Sequence, residues 1–123
     1  MIDHTGIVVR DLNKSRKFYE QSLAPLGYAM LFEVPGGVGM GFGEPPKPDF
    51  WIGRGTPTIS QHIAFRANTR AVVDAFYRAA LAAGGKDNGA PGVRPHYHAN
   101  YYGAFVLDLD GHNIEAVCHK AEA

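Results

Sequence analysis

The sequence predicts an α+β fold: two paired βαβββ modules whose strands form a curved mixed sheet around a central cleft. Three observations carry that prediction. The chain has 123 residues, the length of one domain with one core. It also repeats itself. His4-Thr-Gly-Ile-Val-Val lies over His62-Ile-Ala-Phe-Arg-Ala at a shift of 58 positions, after which Phe18-Tyr19, Leu23 and Gly27 fall on Phe76-Tyr77, Leu81 and Gly85. Finally, each repeat has a short apolar strand bearing a histidine, then an amphipathic helix carrying Phe-Tyr, then a glycine that starts more strands.

In the first repeat Asp11 is placed to cap a helix whose apolar stripe is Leu12, Phe18, Tyr19 and Leu23, and Pro25 with Gly27 ends it. Strands are predicted over residues 28–34, 38–42 and 50–53, with Pro35-Gly36-Gly37 as a turn. In the second repeat Thr69 caps a helix whose face is Val72, Val73, Phe76, Tyr77, Ala80 and Leu81. Strands follow over 85–93, 102–108 and 113–118, and Asp110-Gly111 is hairpin chemistry. The stretches Pro45-Pro46-Lys47-Pro48 and Arg54-Gly55-Thr56-Pro57 are connections, and the second divides module one, 1–56, from module two, 57–123. All of this is a single domain, 1–123. Each sheet would carry a helix on its outer face and turn its other face toward the shared cleft.

Composition narrows the function. A hydrophobic fraction of 46% with 11% aromatic residues is that of a folded chain. Twelve Lys and Arg balance twelve Asp and Glu, six of each already within residues 1–61, so no basic face exists to draw in nucleic acid. The one cysteine, Cys118, excludes an internal disulfide and fits a reducing, cytoplasmic setting; its strand position makes it a buried small hydrophobe. No apolar run is long enough to span a bilayer, and no leader is expected at the N-terminus. Composition does not explain six histidines.

Strand alternation sorts them. His62 and Ala64 point away from Ile63 and Phe65, and by the repeat His4 and Gly6 point away from Ile7 and Val9. Both histidines then face the cleft, each followed on its own face by a small residue. On the last strand Asn113, Glu115 and Val117 share a face, and a carboxylate buried there is costly unless paired. A lone strand histidine is ordinarily a hydrogen-bonded core residue. The equivalence of His4 and His62 in two repeats, together with Glu115, favours instead a ligand set for a divalent metal with open positions. Arg94-Pro-His96-Tyr97-His98-Ala-Asn100-Tyr101-Tyr102 is dense in polar aromatics. It is either a surface loop or the mouth of the cleft, with His98 or Tyr101 as proton donor or acceptor and Arg94, His96 and Tyr102 toward substrate. Trp51 is expected as a cleft wall, since an indole nitrogen only donates. His112 and His119 read as solvated. The tract Gly36 to Gly43 lacks the Gly-Lys-Ser/Thr of a phosphate loop and reads as a permissive turn and strand under a ligand.

These residues resemble the vicinal oxygen chelate superfamily, which includes glyoxalase I, extradiol ring-cleaving dioxygenases, and fosfomycin and bleomycin resistance proteins. The marks are Ile-Asp-His-Thr-Gly-Ile-Val-Val at the start, Asp11-Leu with Phe18-Tyr19 and Leu26-Gly27, Gln61-His62-Ile-Ala-Phe, and Phe105-Val-Leu-Asp108-Leu-Asp110-Gly-His-Asn-Ile-Glu115-Ala-Val. The resemblance implies paired βαβββ modules, a metal in the cleft, and a homodimer. It places His4, His62 and Glu115 on three metal positions. A fourth, carboxylate position of glyoxalase I does not carry over, because Asp49-Phe-Trp51-Ile-Gly53 offers Trp51 or a neighbour there. The tyrosine that dioxygenases often carry shortly before the glutamate is also absent.

The expected function is therefore that of a metal-dependent lyase, isomerase or ring-cleaving oxygenase. A divalent ion (Fe, Mn, Zn, Ni or Co) would chelate two adjacent oxygens of a small substrate. The alternative is a metal-free protein that sequesters a small molecule, as bleomycin resistance proteins do.

Overall fold

The computed structural model describes residues 1–122. Its elements run β1 (Thr5–Val9), α1 (Leu12–Leu23), a 3-10 turn (Ala24–Leu26), β2 (Ala29–Glu33), β3 (Gly39–Gly43) and β4 (Phe50–Arg54). They continue with β5 (His62–Arg66), α2 (Arg70–Ala82), β6 (Lys86–Val93), β7 (Tyr102–Leu107) and β8 (Asn113–Cys118). This is the α+β architecture of two βαβββ units. Each forms a four-stranded mixed sheet, in the orders β1-β4-β3-β2 and β5-β8-β7-β6. The sequence repeat is thus a repeat of register. β1 runs parallel to β4 with Gly6 opposite Trp51, and β5 runs parallel to β8 with Ala64 opposite Glu115. Trp51 holds in module one the place that Glu115 holds in module two.

The helices begin where their caps require. The Asp11 carboxylate accepts from the Lys14 amide and the Thr69 hydroxyl from the Val72 amide. α1 buries Leu12, Phe18, Tyr19 and Leu23, and α2 buries Val73, Phe76 and Ala80. One apolar core runs through both modules, with the rings of Phe50 and Phe65 edge to face at 5.2 Å. Repeat-equivalent residues differ in burial: Tyr19 is inaccessible, whereas Tyr77 reaches Asp87 near the surface. Among the described residues no helix is long and apolar enough to cross a membrane.

β1 and β5 are edge strands that meet along a seam in opposite directions. Val8 of β1 lies level with the start of β5 through His112, and Phe50, the partner of Thr5, packs on Phe65 near its end. The 108–112 turn fastens one end of this seam. Asp108, buried, accepts from the Tyr19 hydroxyl of α1 at 2.5 Å and from the amides of His112 and Asp110 at 2.8 and 2.9 Å. Burial and then Asp108 raise the Tyr19 phenol well above its ordinary value. Asp110 accepts from the Arg10 amide. His112 corrects the sequence reading, because it is 1% exposed instead of solvated. Its Nδ1 accepts from the Gln61 amide and its Nε2 donates to the Val8 carbonyl. A hairpin turn on an isolated sheet would face water, but this one is packed against β1.

The glycine-rich tract also differs from expectation, since β3 lies under protein. A Cβ on Gly41 would stand 2.8 Å from the Trp51 ring, and one on Gly43 would run into the Lys47 carbonyl oxygen. A flexible side chain could yield, but the backbone of the 45–48 connection has little room. Gly43→Ala should therefore cost about 1–3 kcal/mol of overpacking, seen as a lower urea midpoint at unchanged slope. A loss below about 0.5 kcal/mol would mean that the connection moves away freely.

Candidate functional site

Glu115 is the natural starting point, because a carboxylate only 2% exposed must be bonded or neutralised. The β5–β8 register sets the small Ala64 beside it and His62 opposite Asn113. The His62 ring then reaches across, with Nε2 3.0 Å from Glu115 Oε1 and Nδ1 3.0 Å from the Asn113 carbonyl oxygen. A carbonyl only accepts, so Nδ1 carries a proton, and Nε2 faces a carboxylate oxygen. Two electron-rich atoms at that separation call for a cation, either a second proton on His62 or a metal ion. The Nδ1–H to carbonyl contact is the outer support that metal-binding histidines use. The donor set, imidazole plus carboxylate, fits a divalent first-row ion.

The other Glu115 oxygen accepts from the Tyr101 hydroxyl. Burial first, then this bond, raise the Tyr101 phenol above its ordinary value. It therefore stays protonated, and a donor, at neutral pH. Gly103 makes room for it: a Cβ there would come 3.2 Å from the Tyr101 ring and 3.3 Å from Glu115. Phe105, opposite Glu115 on β7, lies against His62 at 6.3 Å with the rings 25° apart.

The remaining candidates fall into place less uniformly. Arg94 turns back along β6, donating to the carbonyls of Ala90 and Gly92, with its guanidinium 5.5 Å over the Phe105 ring. His96 is exposed and packs on Tyr97, which packs on Tyr101. His98 bonds His119 rather than Glu115, so His119 is exposed but engaged and not simply solvated. Tyr102, expected to face substrate, is a second correction. One residue on from Tyr101, it alternates to the α2 side, where it donates to Asp74 at 2.7 Å beneath Arg70 at 5.0 Å. The Asp74 bond, followed by burial, raises its phenol to about 12.

His4 stands apart from the other two predicted ligands. It precedes β1, is exposed, and holds the Asp3 carboxylate at 2.8 Å, which Lys47 also approaches at 3.2 Å. The bonds from His4 and then Lys47 lower the Asp3 carboxyl below its usual range. His4 and His62 both line a cavity of about 440 Å³ on the seam with Tyr28 and Asp49, but Glu115 does not. Among the described residues no three His, Cys, Asp or Glu side chains gather into a metal cluster. The expected convergence is met by His62 and Glu115 alone within one chain. The reason is the direction of the seam, which sets the start of β1 beside the end of β5. Trp51 lies on the His4 side of the molecule, its ring over Gly41 and 5.9 Å from Phe32.

Comparison with known proteins agrees with this architecture. No curated protein matches the chain. Among solved structures it is similar to a glyoxalase/bleomycin resistance protein from Albidiferax ferrireducens T118, at 28% identity over 94% of this chain and 97% of that one, with a TM-score of 0.76. It shares the fold of FosX, a fosfomycin resistance protein from Mesorhizobium loti, at 18% identity over 98% and 92% of the two chains, TM-score 0.71. It also shares that of TioX from Micromonospora sp. ML1, at 15% identity over 98% and 99%, TM-score 0.74. The family model of the Glyoxalase/Bleomycin resistance protein/Dioxygenase superfamily matches residues 1–116, and the chain belongs to that superfamily.

Proposed function

We propose that the protein is a lyase, isomerase or ring-cleaving oxygenase that binds a small substrate through two adjacent oxygens at a divalent cation, in the cytoplasm. The cation is held by His62 and Glu115 of one copy and by His4 of a second copy in a homodimer. The observation that carries this reading is His62 Nε2 lying 3.0 Å from an oxygen of the buried Glu115 carboxylate. A bound cation of the Fe, Mn, Zn, Ni or Co class would supply Lewis acidity toward the substrate oxygens. The chain's own residues do the rest. Asn113 fixes the His62 ring, and Tyr101 keeps a proton at Glu115.

A second copy is invoked because His4 projects from an uncovered apolar face. Val8, Phe32 and Val38 are exposed on that sheet, and Trp51 is only partly covered. A closed two-fold pair that laid module two of one copy on this face would bring His4 to a His62–Glu115 pair and Trp51 to the substrate.

The test is complementation. His4→Ala and His62→Ala homodimers should each lose tight cation binding. Refolded together, they should recover about one quarter of the sites, because each mixed dimer holds one intact site. Loss in both variants without recovery on mixing would place His4 and His62 in one chain's site. Unchanged binding in both would remove the metal centre. Trp51 in the place of a second carboxylate favours one rival reading, a metal-free binder of planar molecules. That rival would show as Trp51 fluorescence quenching by such molecules in chelator, with no cation bound.

A further inference from the structure

Part of the cleft face of module two carries no side chains of its own. Pairing across the sheet puts Ala64, Glu115, Phe105 and Gly89 in one row, from β5 through β8 and β7 to β6, and paired residues share a face. Gly92 and Gly103 are paired in the next row. Two side chains, one from each end of the β6–β7 loop, fold down onto these glycines. Tyr101 lies over Gly103. Arg94 lies over the other two, since a Cβ on Gly89 would stand 3.3 Å from its Nη2 and one on Gly92 3.1 Å from its Nη1. The Arg94 amide donates to the Tyr101 carbonyl at 2.7 Å, so the two residues descend side by side. The guanidinium therefore reaches the face that carries Glu115, with Phe105 between them. Glu115 and Gly89 are two strand spacings apart, about 10 Å.

Nothing in the chain neutralises that charge. Arg94 is half-buried, and no carboxylate among the described residues pairs with it. A guanidinium has five N–H groups. Two of them are spent on the carbonyls of Ala90 and Gly92, at 2.8 Å each, which holds the group in place and leaves the rest free to bond. The Phe105 ring beneath it, at 5.5 Å, gives it an apolar floor that continues toward Glu115. We propose that Arg94 anchors a carboxylate carried by the substrate. The substrate is then a small anion with two chemically distinct ends: two adjacent oxygens at the cation of His62 and Glu115, and a carboxylate two strand spacings away on Arg94, with the stem between them lying on Phe105. A planar carboxylate suits the planar fork of an arginine. The placing of the first end rests on the reading of the site given above; the anchor itself rests on Arg94 and its glycine shelf.

Calorimetric titration of the Zn²⁺-loaded protein with 2-oxoadipate and with 2-oxohexanoate tests this. Both acids have a head with two adjacent oxygens and a stem of the same length, and they differ only in ending on a carboxylate or a methyl group. 2-Oxoadipate should bind about 10- to 100-fold more tightly, the worth of a hydrogen bond between charged groups. Arg94→Met, which keeps an apolar stem over Phe105, should remove the preference, and Arg94→Lys should restore part of it. If Arg94 only clamps β6, Arg94→Met will weaken both acids alike, and the anchor is overturned. A second arm needs neither cation nor variant. In chelator, benzoate should shift the Arg94 Nε–H and Phe105 amide resonances, saturating at a concentration at least about tenfold below that of the uncharged benzamide. Equal affinity for the two oxo acids in the unaltered, loaded protein would overturn the anchor and leave the cation reading standing. Preference for benzoate in a protein that takes up no Zn²⁺ would support the anchor and remove the cation. Where neither oxo acid binds, benzoate decides alone, and no preference over benzamide overturns the anchor.

Discussion

Asp108→Ala should destabilise the protein by about 2–4 kcal/mol, or about 8–15 °C in Tm for a domain of this size. The substitution removes an acceptor that serves three donors at once: the Tyr19 hydroxyl and the amides of Asp110 and His112. The phenol is the costly part, because Tyr19 is inaccessible and its hydroxyl would be left in the core with no acceptor. Tyr19→Phe should cost less, about 1–2 kcal/mol, since it removes the donor and leaves Asp108 its two backbone partners. The double variant should then lose less than the two single losses added together. Urea unfolding of all four proteins measures the coupling. Simple additivity would show that Tyr19 and Asp108 do not act as a pair, and a loss within about 0.5 kcal/mol for Asp108→Ala would show that the turn holds the modules without it.

Asp108 also shows where sequence reading stops. The segment from Asp108 to Glu115 stood out as a motif, but its work in the fold was not legible. Its partners are Tyr19, Arg10, Val8 and Gln61, roughly 50 to 100 positions away, and no local pattern encodes such contacts. The modules themselves were legible because alternation and helical spacing are local and occur twice. The same alternation assigned His62 and Glu115 to one face correctly, since both strands belong to one sheet and their register follows from parallel pairing. It could not say which end of β1 lies beside which end of β5, so it could not show that His4 is apart from the His62–Glu115 pair within one chain. Tyr101 was visible as a candidate from the density of polar aromatics before β7. His119, 21 positions from His98 and just beyond the last strand, carried no signal, because only the folded β6–β7 loop brings His98 to it.

Glu115→Gln should separate a metal ligand from a structural acid. Glutamine has the same shape, and its amide oxygen can accept from the Tyr101 hydroxyl as the carboxylate does. Its amide nitrogen can donate to His62 Nε2, which is bare because the imidazole proton is bonded to the Asn113 carbonyl. The repulsive pairing of two electron-rich atoms thereby becomes a donor facing an acceptor, without any cation. In chelator the variant should be as stable as the unaltered protein or more so, by up to about 1–2 kcal/mol, since replacing a buried charged group by a neutral partner often stabilises. Cation affinity should fall by more than about 100-fold, because losing even an outer support of a metal ligand costs 10–100-fold. Unfolding midpoints with and without added cation read both effects: the unaltered protein should gain stability with cation concentration, and the variant should not. If Glu115 serves only to neutralise a protonated His62, the variant will bind cations as the unaltered protein does, and Glu115 then has no place in a metal centre.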